Sequence, residues 1–368
     1  MIFCEKCFSD KVISDIIKFL PKTVSGDCSI CNHKDVHLYD TETMNDLTPY
    51  FEGLLSIYSS AKKLDNNNLI DIEKITLVDD LKRRWKIFDN DLSKGAILEI
   101  LKNIVPELYK NEPSLFEDNV IIPELYDSEY LEEHSLLKNK QWQDFVNEIK
   151  TKNRFHSKLI NFEILRKYCT FIRKSYKKGK LFYRARNSSK NGYPCDQMSA
   201  PKPEESTDGR ANAKGIRCLY LGSDTDTTLH EIRASIFDYV CVGKFRLLQD
   251  ITVVDLTAIT KISPFIEELD CLDHAINQQY LERLDFEMSK PLRKNDSTLE
   301  YVATQYIVDF IKSIQHNGLN EYDGIVYRST TNPEGYNLAI FNPDIFECIS
   351  TEVYEITSVD YKSKRVES

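Results

Sequence analysis

A change in hydrophobic periodicity near Gly179 is the strongest constraint that this sequence places on its fold. Before Gly179, apolar residues recur at helical spacing, and helices are predicted at 44–64, 93–110 and 140–178. After it, strand-like runs alternate with helical stretches. Strands are predicted at 181–186, 217–222, 240–248, 251–256, 323–329, 337–341 and 345–356, and helices at about 224–237, 264–287 and 297–316. This order is typical of an α+β protein whose first part is mostly helical and whose second part is a mixed α/β domain.

Length and composition fit a protein with more than one domain. The chain has 368 residues, of which 41% are hydrophobic and 29% charged, and either half is long enough to bury its own core. We expect a small metal-binding module at residues 1–40, a helical domain at 41–179 and a mixed domain at 180–368.

The sequence also suggests a compartment. No run approaches the ~18 apolar residues that span a bilayer, and the first ten residues, MIFCEKCFSD, have no basic start followed by an apolar stretch. We therefore expect a cytoplasmic protein without a membrane partner.

Charge argues against general binding to nucleic acid or anionic lipid, because the net charge is −10. One segment differs: residues 152–180 contain ten Lys or Arg and a single acid, Glu163. Its apolar residues recur at helical spacing. Two interpretations stay open here, an amphipathic helix with a solvated basic face and a surface that faces phosphate or RNA.

Two close cysteine pairs predict a metal site. Cys4-x-x-Cys7 and Cys28-x-x-Cys31 are separated by 20 residues, and two such pairs can place four thiolates around one tetrahedral zinc ion. A reducing compartment favours metal over disulfides. Because all four ligands would be thiolates, the zinc would be structural, with no open position for catalysis. The alternatives are buried or redox-active thiols, or a site in which His33 or His37 replaces one cysteine.

The segment from Gly209 to Arg233 carries the strongest functional signal. Tyr220 lies in a short apolar strand, and Glu231 lies on the following helix, away from its apolar stripe of Leu229, Ile232 and Ile236. Taken alone, such a glutamate is usually solvated and such a tyrosine usually belongs to the core. Upstream, an arginine within the strand LFYRAR requires a partner or a bound anion.

The start of this helix is also predicted from the sequence. Ser223 is expected to cap it, with Asp226 three residues later completing a capping box.

Taken together, these residues resemble the RES domain, a family named for its Arg, Glu and Ser positions. The resemblance covers about residues 180–350. It rests on Tyr183-Arg184, Gly209-Arg210-Ala211-Asn212 with Gly215, Leu219-Tyr220-Leu221, Thr228 with Glu231, Tyr322-Asp323-Gly324-Ile325-Val326 with Ser329, and Asn337-Leu338-Ala339-Ile340-Phe341. It implies that Arg184, Tyr220, Glu231 and Ser329 form the active site, flanked by Arg210 and Asn212.

Two features depart from the family pattern. Ala211 stands where the family usually has tryptophan, and the long interval between Glu231 and Ser329 implies an insertion, expected within 258–300. Both affect the expected acceptor specificity and access to the pocket more than the core chemistry.

The N-terminal half is similar to the zinc-bearing, HEPN-like helical domain that precedes some RES domains. HEPN ribonucleases use an Arg-x₄₋₆-His motif, and none of the seven histidines here has an arginine four to seven positions before it. A ribonuclease is therefore not expected.

The RES resemblance implies an NAD-consuming, toxin-like enzyme whose fold resembles ADP-ribosyltransferases. Such domains break the nicotinamide–ribose bond with phosphate or water as acceptor. In that role Glu231 would stabilise positive charge on the ribose, or orient the ribose hydroxyls and the incoming acceptor. Arg184 with Arg210 would hold the pyrophosphate or an acceptor phosphate. Tyr220 would stack on the nicotinamide ring, and Ser329 would bond the carboxamide or the acceptor.

The resemblance also implies a setting and two alternatives. We expect an NAD phosphorylase or NAD glycohydrolase in a toxin–antitoxin or anti-phage system, a homo-oligomer, restrained by an antitoxin or another regulatory protein. One alternative is an ADP-ribosyltransferase that acts on a protein. The other is a zinc-containing nucleic-acid-binding module with an inactive RES domain, supported only by the basic segment 152–180.

Overall fold

The fold is described from a computed structural model, which covers residues 1–63, 75–292, 296–329, 331–332 and 334–359. The chain divides into two compact units. The first comprises Met1–Ser135 with Lys261–Gln278, and the second comprises Leu136–Thr260 with Gln279–Ser368. Over the described ranges, no helix is long and apolar enough to cross a membrane. The predicted domain boundaries after residues 40 and 179 stay predictions.

Twelve α-helices occur in the described residues. They are α1 (Lys11–Phe19), α2 (Thr48–Leu55), α3 (Leu77–Asp80), α4 (Lys94–Ile104), α5 (Pro106–Asn111), α6 (Pro113–Glu117), α7 (Ser128–His134), α8 (Trp142–Thr151), α9 (Phe162–Phe171), α10 (Thr225–Glu231), α11 (Cys271–Ser289) and α12 (Val302–Ser313).

Sixteen strands occur in the same residues. They are β1 (Ile2–Cys4), β2 (Val24–Gly26), β3 (Val36–Asp40), β4 (Ser59–Ser60), β5 (Ile75–Thr76), β6 (Asn119–Ile121), β7 (Arg173–Tyr176), β8 (Leu181–Ser188), β9 (Leu219–Gly222), β10 (Tyr239–Leu247), β11 (Ile251–Asp255), β12 (Gln315–His316), β13 (Leu319–Asn320), β14 (Gly324–Arg328), β15 (Tyr336–Ile340) and β16 (Phe346–Glu355).

An eight-stranded mixed sheet forms the centre of the second unit. Its order is β16-β10-β8-β9-β15-β14-β11-β7. Within it β11 and β14 pair in parallel, whereas the other neighbouring strands pair antiparallel. Together with the helices, this sheet confirms the predicted mixture of helices and strands, while the expected likeness to ADP-ribosyltransferases stays a prediction.

Alternation along the strands gives the large sheet two apolar faces. On one face Phe182 and Phe245 belong to a large buried cluster. On the other face Ala185 and Val242 are buried, and Leu229 of α10 packs against them. Helix α10 is thereby held on the second face of the sheet.

The first unit has its own core and a three-stranded sheet in the order β1-β3-β2. Phe3 and Tyr39 stack with ring centroids 5.3 Å apart, and both are buried. Helix α1 contributes Ile13 and Ile17 to the same core. Cys4 is the last residue of β1, and Cys7 is the last residue of the short 3-10 turn that follows it. This sheet therefore positions two of the four predicted metal ligands.

The predicted helix at 140–178 is wrong as one continuous element. It consists of α8, a connecting segment, α9 and the edge strand β7. The Asn161 side chain accepts hydrogen bonds from the backbone N–H groups of Glu163 and Ile164, so a new helix starts there. Beyond α9, Arg173–Tyr176 pairs antiparallel with β11. The helical spacing of apolar residues therefore continues through the connecting segment between α8 and α9 and into β7, although the helices themselves end.

Other predicted helices are shorter in the structure. The prediction at 93–110 divides into α4 and α5, and Pro106 is the first residue of α5, where the missing N–H costs nothing. The prediction at 44–64 corresponds to α2 alone among α-helices, and Leu64 lies outside the described residues.

Candidate active site

A pocket of about 260 Å³ in the second unit contains three of the six residues expected to act on or bind a substrate. Its walls come from β8, β9, α10, β14 and β15. The pocket is lined by Arg184, Ala185, Tyr220, Leu221, Gly222, Thr228, Glu231, Ile232, Tyr327 and Asn337. The structure therefore brings together Arg184, Tyr220 and Glu231, three of the four residues predicted to be catalytic.

Glu231 is the last residue of α10, and three local features fix that helix. Asp224, not the predicted Ser223, caps it, because the Asp224 carboxylate accepts from the backbone N–H of Thr227 at 2.7 Å. The Ser223 hydroxyl instead donates to Asp224. Close packing of β9 on α10 requires glycine at position 222, where a Cβ would lie 2.6 Å from a methyl carbon of Thr228.

The helix ends earlier than the predicted residue 237. The backbone of Arg233 has a positive φ of 51°, which terminates an α-helix. Glu231 therefore lies at the C-terminal end of α10 and not in its middle.

Two hydrogen-bond donors converge on one oxygen of Glu231. The Ser329 hydroxyl donates to Glu231 Oε1 at 2.6 Å, and the Asn337 side-chain amide donates to the same oxygen at 2.8 Å. Ser329 and Asn337 are both buried. The predicted residue Ser329 is thus joined to the pocket through Glu231.

Arg184 supplies positive charge to the same pocket. Its guanidinium donates to the backbone carbonyls of Met198 at 3.1 Å and Ser199 at 2.5 Å. Burial and the neighbouring positive charge of Arg186 lower the pKa of Arg184 to about 10, which still leaves it cationic at neutral pH. A half-buried cation beside a pocket is a suitable group for binding an anion.

Tyr220 lines the pocket with its ring, and its hydroxyl is fixed from the other side. The hydroxyl donates to Asn212 Oδ1 at 2.6 Å and accepts from the backbone N–H of Ala211 at 3.0 Å. Burial raises the pKa of Tyr220 well above its usual range, so the phenol stays neutral. The ring is held in place as an apolar wall.

The two residues predicted to bind substrate from the flanking loop make other contacts. The Asn212 amide donates to the carbonyl oxygens of Thr207 at 2.9 Å and Ile216 at 3.0 Å. The Arg210 guanidinium donates to the carbonyls of Glu287 and Lys290 at the end of α11. Among the described residues that line the pocket, neither Arg210 nor Asn212 is included.

Asn337 and Tyr327 are pocket residues that the sequence analysis does not predict. Tyr327 lies directly opposite Asn337 in the β14–β15 pair. Burial and the negative charge of Glu231 raise the pKa of Tyr327. The available signal for Asn337 is a polar amide in an otherwise apolar strand, since such a group requires a partner.

The four predicted metal ligands lie together in the first unit. The sulfur atoms of Cys4, Cys7, Cys28 and Cys31 are all within 4.8 Å of one another. Three of the separations are 3.9 Å for Cys4–Cys7, 3.4 Å for Cys4–Cys31 and 3.8 Å for Cys7–Cys28. Tetrahedral zinc with Zn–S bonds of about 2.3 Å would separate its sulfur ligands by about 3.8 Å. The cluster therefore has the dimensions of a metal site.

Both histidines considered as substitute ligands are near this cluster. The Nδ1 atom of His33 lies 3.3 Å from the sulfur of Cys31. The corresponding nitrogen of His37 faces Glu5 at 3.5 Å, and the His37 backbone N–H donates to the same carboxylate. Since all four thiols already converge, four cysteines are a complete ligand set for zinc.

The basic segment 152–180 is partly neutralised by acids of its own unit. Arg173 pairs with Glu321 at 3.0 Å, and Lys174 pairs with Asp255 at 2.8 Å. Lys177 likewise pairs with Asp250. These pairs reduce the positive charge that the segment presents, so they weaken the interpretation that it binds RNA or DNA.

Residues 181–360 match the family model described as RES domain, and the predicted RES domain is confirmed over that range. This domain points to a toxin-like enzyme family associated with NAD. The HEPN-like character of the N-terminal half is not confirmed by this match and stays a prediction. No curated protein and no solved structure matches the chain.

Proposed function

We propose that this protein cleaves the nicotinamide–ribose bond of NAD, with phosphate or water as the acceptor. The observation that carries the proposal is the meeting of a cation, a carboxylate and an aromatic ring in one pocket of the RES domain. These are Arg184, Glu231 and Tyr220. NAD has a cationic nicotinamide ring and an anionic pyrophosphate. The carboxylate and the aromatic ring suit the nicotinamide and its ribose, and the arginine suits the pyrophosphate.

Glu231 would stabilise the transition state. Loss of nicotinamide leaves positive charge on the anomeric carbon and ring oxygen of the ribose, and a fixed carboxylate lowers the energy of that state. Nicotinamide leaves as a neutral base with the electron pair of the broken C–N bond, and a phosphate or water oxygen forms a bond to the same carbon. An acceptor oxygen that carries a proton, as water does, releases that proton to solvent. The carboxylate acts by charge, and no covalent bond to Glu231 is needed.

Arg184 and Tyr220 would bind the substrate. The guanidinium is suited to a phosphate oxygen, either of the pyrophosphate or of the acceptor. The Tyr220 ring offers an apolar face to the nicotinamide, and the hydrogen bonds of its hydroxyl fix where the ring lies. Substrate groups are thereby held while the glycosidic bond breaks.

Arg210 and Asn212 would act indirectly, by holding the loop that supports Tyr220. Asn212 ties the Tyr220 hydroxyl to three loop carbonyls, of Thr207, Ala213 and Ile216. Arg210 ties the same loop to the end of α11. Their proposed role is therefore in the shape of the pocket.

Zinc is the metal that the four-cysteine cluster fits best, and we propose that it is structural. Cys4, Cys7, Cys28 and Cys31 would fill all four tetrahedral positions, which leaves no position for water or substrate. When bound, the ion would join β1 and the two cysteine turns of the first unit. We assign it no part in NAD cleavage.

Depletion of NAD would make this enzyme harmful to its own cell. A toxin or anti-phage effector in the cytoplasm, restrained by an antitoxin or another protein until needed, is the setting that this chemistry favours.

The test is incubation of the purified protein with NAD in phosphate buffer and in phosphate-free buffer, with products identified by mass. We expect nicotinamide in both cases, with phosphorylated ADP-ribose only where phosphate is present if phosphate is the acceptor. Arg184→Ala, shown to be folded by circular dichroism, should lose the activity. Intact NAD in both buffers would overturn the proposal, and ADP-ribose attached to protein would replace it with a transferase.

A further inference from the structure

Ser329 and Asn337 share one target, although they lie at different places in the chain. Ser329 directly follows β14, and Asn337 is in β15, the strand that pairs with β14. Their donors reach Glu231 Oε1 at 2.6 Å and 2.8 Å. The hairpin β14–β15 therefore carries two neutral donors to a single carboxylate oxygen.

The direction of the Ser329 proton is determined by its other contacts. The Ser329 oxygen accepts from the backbone N–H groups of Asn332 at 3.1 Å and Thr331 at 3.3 Å. It also lies 3.4 Å from the Thr331 hydroxyl oxygen, which can itself donate. A hydroxyl has one proton to donate, and the 2.6 Å contact, which is shorter than these three, gives that proton to Glu231. A second bond, from the same hydroxyl to a substrate group, would require the first to break.

The position of Asn337 is also fixed, by strand pairing on both sides. It pairs with Gly222 of β9 on one side and with Tyr327 of β14 on the other, and 5% of its surface is exposed. A side chain in the middle of a sheet cannot follow a moving carboxylate, so Glu231 must come to it.

We propose that Ser329 and Asn337 are positioning residues, which together fix the Glu231 carboxylate in the pocket, and that Ser329 acts through Glu231 and not on the substrate. This inference rests on the proposed cleavage of NAD for its kinetic consequence. It assigns a role to Asn337, which the sequence analysis does not predict, and changes the expected role of Ser329.

The kinetic test compares Ser329→Ala, Ser329→Thr and Asn337→Asp with the wild type. For Ser329→Ala we expect kcat to fall about 10- to 100-fold with KM changed less than about threefold, because an interaction used in the transition state is lost. Ser329→Thr, which keeps the hydroxyl, should restore most of the rate.

Asn337→Asp keeps the shape of the side chain and places a second carboxylate beside Glu231. We expect it to lose more activity than Ser329→Ala at neutral pH. The combined loss in Ser329→Ala/Asn337→Ala should be smaller than the product of the two single losses, since both donors act on one oxygen. Asn187→Ala, an exposed position of β8, is the matched control and should leave kcat unchanged.

A second readout does not depend on activity. Crystal structures of the wild type and of Ser329→Ala/Asn337→Ala compare the place of the Glu231 carboxylate directly. We expect the carboxylate to lie at hydrogen-bond distance from both donors in the wild type, and to move or to take several positions in the double variant, because both donors that fix it are gone.

The outcomes separate the two proposals. If the wild type leaves NAD intact, the proposed function is wrong, and the crystal structures alone decide the positioning roles. A Glu231 carboxylate that keeps its place in Ser329→Ala/Asn337→Ala would overturn the positioning roles. So would a kinetic effect of Ser329→Ala confined to KM, because that result would place Ser329 on the substrate.

Discussion

Glu231 lies at a position where the helix backbone does not stabilise a carboxylate. It ends α10, and the C-terminal end of a helix carries partial negative charge, which disfavours a nearby anion. Donors from Ser329 and Asn337 offset this disadvantage. A glutamate so placed is costly as a surface residue but useful as a fixed negative charge in a pocket.

The first prediction concerns that charge. Glu231→Gln keeps the size of the side chain and removes its charge, so NAD should still bind while cleavage slows by about 10²–10³-fold or more. Nicotinamide release measures the rate, and equilibrium binding of NAD to the variant measures the affinity. Glu204→Gln, at an exposed position, serves as the control. Equal loss of binding and rate would argue against a role restricted to the transition state.

The second prediction concerns the Tyr220 hydroxyl. In Tyr220→Phe, Asn212 Oδ1 and the backbone N–H of Ala211 each lose a partner in a buried setting. We expect the free energy of unfolding to fall by about 2 kcal/mol, measured by urea denaturation, while the ring and most of the NAD affinity remain.

Tyr239→Phe is the comparison for that variant, because Tyr239 is a half-buried tyrosine of the same sheet. It should unfold like the wild type. An unchanged stability in Tyr220→Phe would show that the loop does not depend on the hydroxyl.

At the scale of elements, β9, its turn and α10 form the unit that carries the chemistry. β9 places Tyr220 in the pocket wall, Gly222 allows the helix to approach, and α10 ends at Glu231. The cap at Asp224 therefore influences the catalytic side chain from the opposite end of the helix.

The third prediction is a pH dependence that arises at this cap. Burial would raise the pKa of Asp224, but hydrogen bonds from Ser223 and Thr227 outweigh it, and the pKa is lowered. A lowered pKa means that the ionised cap stabilises the fold above the ordinary pKa of about 3.9. This stability is lost as the pH falls through the lower, folded-state value.

The measurement compares Asp224→Ala and Asp224→Asn with the wild type in urea at several pH values. Asp224→Ala should cost about 1 kcal/mol at pH 7, and the difference should shrink as the pH falls below about 4. Asp224→Asn, which still accepts a hydrogen bond, should cost less at pH 7. Its difference from the wild type should also shrink at low pH, whereas the difference between Asp224→Asn and Asp224→Ala should stay constant, because neither variant ionises at this position. A constant difference down to pH 2 would contradict the assignment.

Seven of the eight strands of the large sheet are predicted, because their apolar runs are bounded by clear turns, whereas the edge strand β7 falls inside the predicted helix 140–178. The prediction at 217–222 became β9 at Leu219–Gly222, and that at 337–341 became β15 at Tyr336–Ile340. Helix ends were harder to predict. Helical spacing continued past Glu231 to Ile236, while a left-handed residue at Arg233 ended the helix.

The residues of the site could likewise be predicted only in part from the sequence. The resemblance names Arg184, Tyr220 and Glu231, and these residues line one pocket. Spacing alone cannot find Asn337, since its contact with Glu231 crosses 106 positions of sequence. Nor can it show that Arg210 and Asn212 hold backbone carbonyls, because tertiary contacts decide which polar groups are satisfied within the protein.

At the scale of the whole molecule, the two units do not follow the order of the chain. Residues 261–278 belong to the first unit although they interrupt the second in sequence. They lie inside the region 258–300, where the long interval between Glu231 and Ser329 predicts an insertion. Phe265 contributes to the core of the first unit, with its ring centroid 5.1 Å from that of Phe51.

The fourth prediction is that the first unit requires metal and the sheet of the second does not. The four cysteines are close enough to share one ion, and binding of a structural zinc is coupled to folding. We expect one zinc per chain by elemental analysis. Removal by a chelator should abolish the hydrogen-exchange protection of β1 and β3, because both strands border the cysteine turns, while β8 and β10 stay protected by the core of their own unit.

Cys28→Ser should reproduce the effect of the chelator, since it removes one of four ligands. Cys271→Ser is the matched control: Cys271 is half-buried in the same unit and donates to the Pro264 carbonyl, which a serine hydroxyl can also reach. It should retain zinc and protection. If metal-free protein kept full protection in β1 and β3, the thiol cluster would have to be interpreted as a redox or packing feature, because a structural ion cannot be removed without cost to the fold it holds.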